Sequence, residues 1–179
     1  MFFNYYFEHL VYPEAVPNAT HLYLAELEAK EKDITIITQN IDGLHQAAGS
    51  EKVLELHGST LRNTCLTCGE NYPLRALRQD DKGIPRCPHD NGIVRPDVVL
   101  YGEMLDQTAL SMSMAAVEKV DLLIVAGTSL SVYPANSLIH YFKGEASILL
   151  NRTPVQHPAL FDLIIQDSLG SIFKQLKEN

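Results

Sequence analysis

The run from Ile34 to Gly58, ITIITQNIDGLHQAAGSEKVLELHG, constrains this chain more than any other stretch. It reads as a buried strand built on Ile34, Ile36 and Ile37, a polar cluster where that strand ends, a short helical turn, and a second strand from Val53 to Leu56 that stops at His57. In an open parallel sheet, ligands bind beyond the carboxyl ends of the strands. Gln39, Asn40, Asp42 and His57 stand at such ends. Taken singly, each also reads as local structure: Asp42 and Gly43 supply a bend, and His57 closes a strand.

The size of the chain decides how much structure can surround that stretch. Its 179 residues, 46% of them hydrophobic, suffice for one substantial domain with room for a small insertion. Twenty-two acids against fourteen bases leave a net charge of -8, which disfavours nucleic acid and anionic membrane surfaces and suits a basic peptide. The opening MFFNYYFEHL lacks a basic region followed by a cleavage site, and no apolar run approaches the roughly 18 residues of a membrane span. A cytoplasmic protein with no membrane partner is the expectation. Three cysteines, an odd number at metal-like spacing, fit reduced thiols better than a disulfide framework.

Ahead of the organising stretch, FFNYYFEHLVYPEA predicts a short helix with one buried face, ended by Pro13. In PNATHLYLAELEAKEK, Asn18 or Thr20 can cap a helix carrying Leu22, Leu24, Ala25, Leu27 and Ala29 at helical spacing. After Gly58 the periodicity fades and turn residues dominate. Cys65 and Cys68 form a C-x-x-C knuckle, and Cys87 follows after 18 intervening residues, close to a zinc-ribbon spacing. A fourth cysteine is expected three residues after Cys87; Asp90 stands there, with His89 beside it. Zinc accepts imidazole and carboxylate as well as thiolate, so a structural Cys3Asp or Cys3His site fits the chemistry. The alternative is three inert thiols in a module packed by Leu66, Tyr72, Leu74 and Leu77.

The rest alternates strand and helix. GIVRPDVVLYGE, residues 92-103, predicts a strand with Val99 and Tyr101 on one face. Leu105, Ala109, Met112 and Ala116 recur at helical spacing, DLLIVAGTS suits a strand covered on both faces, and PANSLIHYFK predicts a helix. ASILLN and FDLIIQ predict strands, and Leu169, Ile172, Phe173 and Leu176 mark a closing helix. This alternation implies an α/β fold with a doubly wound, Rossmann-like parallel sheet. Gly127, Thr128 and Ser129 end one strand and Asn151 the next, in the crevice that would take the adenosine half of a dinucleotide. The expected division is residues 1-62 and 92-179 as the dinucleotide-binding unit, with 1-20 assignable to a small helical module, and 63-91 as a zinc-ribbon-like module.

TQNIDGLH followed by ELHG closely resembles the core of the sirtuins, the NAD-dependent protein deacylases, and the Pro-Asn-x-x-His element, VVLYGE and GTSL-x-VYPA extend the likeness along the chain. That resemblance implies acyl transfer from protein lysine to ADP-ribose, described as transferase or hydrolase chemistry, giving nicotinamide and O-acyl-ADP-ribose. It implies His57 as general base, Asn40 and Asp42 at the nicotinamide end, Gln39 at the ribose, and Gly127, Thr128, Ser129 and Asn151 at the remainder of NAD. It also implies that Val99 and Tyr101 wall an acyl-lysine tunnel, with Gly102, Glu103 and Val132 meeting an acylated peptide. Two other activities stay open at this point: acyl-peptide binding without turnover, and NAD-dependent protein ADP-ribosylation. The sirtuin opening strand and its glycine-rich GAG-x-S turn have no counterpart before Met1. The expectation is therefore a sheet divided into a pair and a triplet, with weak NAD binding and a tendency to associate.

Overall fold

Asn18 starts the first long helix, and it does so with its side chain. In this computed structural model, which describes residues 2–155 and 158–178, Asn18 Oδ1 accepts the amides of Thr20 and His21 at 2.9 and 3.4 Å, while His21 Nδ1 accepts the Asn18 amide at 3.2 Å. This reciprocal cap opens α2 (Ala19–Ala29) and contributes about 1 kcal/mol. Ahead of it, α1 (Phe2–His9) buries Tyr6 completely, and the Tyr6 hydroxyl reaches Thr60 O at 3.4 Å.

The chain then enters β1 (Ile36–Thr38), turns through α3 (Leu44–Ala47), and returns as β2 (Val53–Glu55), parallel to β1 with Ile37 opposite Leu54. Directly afterwards β3 (Gly58–Cys65) pairs antiparallel with β4 (Asn71–Pro73) and β5 (Val94–Val98) in the order β4-β3-β5. The second half runs α4 (Gln107–Lys119), β6 (Leu122–Ala126), a 3-10 helix (Ala135–Tyr141), β7 (Ala146–Leu150), β8 (Leu163–Ile165) and α5 (Leu169–Glu178). β6, β7 and β8 form a parallel sheet in that order. Among the described residues the parallel strands are thus a pair and a triplet, as expected from the sequence.

One core spans both groups. Leu56, Leu105, Val117, Ala135 and Leu138 are buried together, and Ile37 of β1 and Leu123 of β6 pack against them. A second cluster joins α2 to α5 and β7 through Leu150, Ile172 and Phe173, with Tyr23 set against the Phe173 ring.

Four expectations need correction. β6 is covered on one face only: Leu122 and Ile124 are 47% and 42% exposed, because that face has no cover among the described residues. α4 turns Ser113 and Val117 inward and leaves Met112 exposed. Burial of the serine is offset by its hydroxyl, which donates to Ala109 O at 2.7 Å. On α2 the buried face is Thr20, His21 and Ala25, with Leu22 exposed. Finally, β5 stops at Val98, so Val99 and Tyr101 do not share a strand face. The Glu103 amide bonds Leu100 O and Gly102 takes a φ of 87°, a turn that ends the ladder.

Candidate functional site

β1 and β2 run in register, so the residues that follow them emerge side by side. The Leu56 amide still bonds Thr38 O at 2.9 Å, and one residue later His57 Nδ1 lies 3.0 Å from Gln39 O. A carbonyl can only accept, so Nδ1 carries a proton, and in the neutral ring Nε2 then keeps its lone pair. The loop from Gln39 to Asp42 is pinned at each step. Thr38 Oγ1 accepts the Asn40 amide at 3.0 Å, Ile41 O accepts both the amide and the hydroxyl of Thr60 at 2.9 and 3.0 Å, and Asp42 Oδ1 accepts the Leu44 amide at 2.9 Å. The Asn40 side chain is exposed, with Gln39, Asp42 and His57 half-buried around it. Sequence reasoning passed over Thr38 and Thr60, since a threonine in a strand reads as no more than a strand former.

The segment after β5 reaches the same place from the other side. The Val99 amide donates to His57 O at 3.0 Å, which fixes Val99 beside the histidine. Beyond it Tyr101 is fully exposed, Gly102 and Glu103 are exposed, and the Glu103 carboxylate is committed: Oε2 takes Arg95 at 2.5 Å and the Leu100 amide at 2.9 Å. Arg95 first, then the Leu100 amide, hold the Glu103 carboxyl below its usual range. Glu103 therefore shapes this turn, a task its sequence position did not reveal.

Gly127, Thr128 and Ser129 leave β6 as Asn151 leaves β7, and the two ends meet where the Gly127 amide donates to Leu150 O at 3.0 Å. Gly127 has a φ of 62°, Thr128 Oγ1 accepts the Leu130 amide at 3.1 Å, and Ser129 and Ser131 share a 2.6 Å hydroxyl contact. Asn151 is buried, its amide nitrogen donating to Thr153 O at 2.8 Å, which leaves its side-chain oxygen available as an acceptor. Val132 is exposed next to the cis Tyr133–Pro134 bond. No strand pairing connects this group to the Gln39–His57 group among the described residues. A cleft of about 600 Å³ lies on the opposite flank of β2, lined by Glu55, Gly58, Val99, Met104 and Met112 but by none of Gln39, Asn40 or Asp42.

At the far end of β3, Cys65, Cys68, Cys87 and Asp90 bring their ligand atoms within 4.8 Å of one another. Cys68 Sγ and Cys87 Sγ are 3.7 Å apart, and Cys65 Sγ is 3.5 Å from Asp90 Oδ1. A tetrahedral ion with bonds of about 2.3 Å to sulfur and about 2.1 Å to oxygen has edges of about 3.5–3.8 Å. The Gly92 amide donates to Asp90 Oδ1 at 2.8 Å; this bond first, then the Cys87 thiol, brings the Asp90 carboxyl down to about 2. All three cysteines are free of disulfides, and His89 is exposed and outside the group.

Residues 1–134 match the Sir2 family. An NAD-dependent protein deacetylase of Clostridium acetobutylicum is 47% identical over 173 residues, covering 97% of this chain and 71% of the relative. One from Cutibacterium acnes is 50% identical over 169 residues, covering 94% and 68%. Among solved structures, Sir2Tm bound to a propionylated peptide superimposes with a TM-score of 0.91 at 32% identity, covering 99% of this chain and 77% of that one. A Sir2 bound to acetylated peptide gives 0.87 at 30% identity, covering 98% and 80%.

Proposed function

This chain belongs to the Sir2 family, and we propose that it is an NAD-dependent protein lysine deacylase. The observation that carries the reading is the 3.0 Å contact from His57 Nδ1 to Gln39 O, which leaves Nε2 free to take a proton at the edge of the TQNID loop. NAD, when bound, supplies the electrophilic ribose carbon: the acyl group ends on ADP-ribose, nicotinamide leaves, and one water is consumed in freeing the lysine amine. His57 acts as general base on a ribose hydroxyl, work for which an imidazole suits neutral pH. Asn40 and Asp42 offer the amide and carboxylate that a carboxamide needs as donor and acceptor partners, and Gln39 offers the same to ribose hydroxyls. Gly127, Thr128, Ser129 and Asn151 receive the adenosine side. Val99, Tyr101, Gly102, Glu103 and Val132 receive the acylated peptide, with exposed backbone past β5 available for strand addition.

The cysteine group is assigned to structural zinc, held by Cys65, Cys68, Cys87 and Asp90; the fit rests on the tetrahedral edge lengths. A second reading, acylated-peptide binding without turnover, is favoured by one observation: the two proposed halves of the NAD site stand on separate sheets.

An assay on an acetylated lysine peptide that follows both nicotinamide release and peptide mass tests the proposal. Nicotinamide appearing with loss of the acetyl mass is expected. Binding of the peptide with neither change selects the second reading, and nicotinamide release with a gain in peptide mass would identify ADP-ribosyl transfer instead.

A further inference from the structure

The contact between α2 and α3 is made by two histidines. The rings of His21 and His45 have centroids 4.6 Å apart. His21 is buried, and its Nδ1 accepts the Asn18 amide, a role that requires a neutral ring with its proton on Nε2. His45 Nδ1 is buried with no hydrogen-bond partner, and so are Thr20 Oγ1, beside His21, and Ser50 Oγ, whose amide bonds His45 O at 3.1 Å. Among the described residues, Asp42 is the one carboxylate acting on both rings. Glu28, farther along α2, is occupied by the amides of Glu51 and Lys52, and Glu26 by Lys30 and the α5 residue Lys177.

We propose that His21 and His45 are positioning residues for the loop Gln39 to Asp42, holding it only while both rings are neutral. The coupling runs through α3, a four-residue helix that begins directly after the loop: Asp42 Oδ1 caps Leu44 and Gly43 takes a φ of 71° to make the bend. His45 sits inside this helix, two residues past the bend at Gly43, so an α3 backbone that shifts as the ring contact loosens passes that shift to the Asp42 end of the loop. Protonating His21 removes the acceptor for the Asn18 amide and sets a cation 4.6 Å from its neighbour. The Gln39 end is held separately, by His57.

Burial pushes both histidines below the ordinary value of 6.5, against the pull of Asp42; on His45 the His21 ring adds to the effect of burial. A folded histidine with a lowered value disfavours the proton, so the unfolded or loosened chain binds it first. Loop order is complete above 6.5 and declines as the pH falls below it.

The inference rests on the reading of residues 39–42 as a cofactor loop only for its bearing on NAD. Amide hydrogen exchange of Leu44, corrected for the intrinsic rate and compared with Leu149 in β7, tests it between about pH 7 and about pH 5. Protection at Leu44 is expected to fall several-fold more than at Leu149. In the double variant His21→Gln/His45→Phe, which keeps a capping side chain and a ring at the contact but cannot titrate, the fall is expected to vanish. His45→Phe alone, if the double variant is poorly folded, is expected to reduce it. A fall that persists in the variants, one matched at Leu149, or none at all overturns the proposal. Loss of loop protection with unchanged NAD affinity would support the positioning pair and refute the cofactor assignment instead.

Discussion

His57 Nδ1 and the carbonyl oxygen of Gln39 are 3.0 Å apart, and this bond joins the ends of two neighbouring parallel strands. Its value is in fixing the ring: with Nδ1 engaged at the strand ends, Nε2 is the nitrogen left for chemistry. His57→Ala is expected to lower deacylation by about 10²–10⁴-fold, the range for a positioned general base, while peptide affinity persists. Single-turnover rates alongside peptide titration check both halves, and substantial turnover by the variant would remove His57 from this role.

Gly58, the first residue of β3 and next to that histidine, has a φ of 74°, and a Cβ placed on it would stand 1.9 Å from Asp97 O in β5. Backbone, not a yielding side chain, is in the way. Gly58→Ala is expected to cost about 1–3 kcal/mol, measured by denaturant unfolding, and to displace His57. A variant of parental stability would contradict the close β3–β5 approach.

For the cysteine group, metal analysis is expected to return about one zinc per chain, and a chelator to lower the unfolding temperature. Cys65→Ser should do likewise without chelator. Asp90→Cys, supplying a fourth thiolate, should retain zinc against higher chelator concentrations than the parent. A well-folded, metal-free chain whose stability ignores chelator would instead favour packed thiols.

Glu26 bridges two lysines, Lys30 at 2.8 Å and Lys177 at 3.0 Å, the second of them on α5. Hydrogen bonds from Lys30 and then Lys177 bring its carboxyl from 4.5 down to about 2. A lowered carboxyl stabilises the fold above its unfolded value, so this contribution is complete above 4.5 and disappears as the pH falls toward 2. The lysines and the carboxylate are exposed enough for solvent to screen the effect strongly. Unfolding temperatures of the parent and Glu26→Gln should differ slightly at neutral pH in low salt and converge in acid or high salt. A constant difference across pH would show that lost packing, not charge, is responsible.

The strands were legible because apolar runs such as ITII and ASILL have few other uses, and Asn18 was legible because amide caps repeat across helices. The polar cluster at the strand ends followed from parallel pairing, and the division of the parallel strands into a pair and a triplet matched expectation. What escaped was the phase of the helices. Ser113 and His21 are buried in place of the apolar Met112 and Leu22, since a polar side chain bonded to its own helix loses little by burial. Periodicity counts apolar residues and cannot see such bonds. The commitment of Glu103 to Arg95 was invisible for a similar reason: it depends on a turn that ends β5 earlier than its composition implies.

β3 begins at Gly58, next to the histidine, and ends at Cys65, in the cysteine knuckle: eight residues spanning about 26 Å. Such a strand would act as a lever between the two, were it not broken. Its pairing with β5 shifts register between Ser59 and Asn63, leaving Gly58 and Ser59 matched to Val98 and Asp97 on one side, and Asn63 to Cys65 matched to Pro96 through Val94 on the other. The short ladder beside His57 has its own anchor in the Val99 amide, so fraying that starts at the cysteine end is expected to halt midway and leave the histidine end paired.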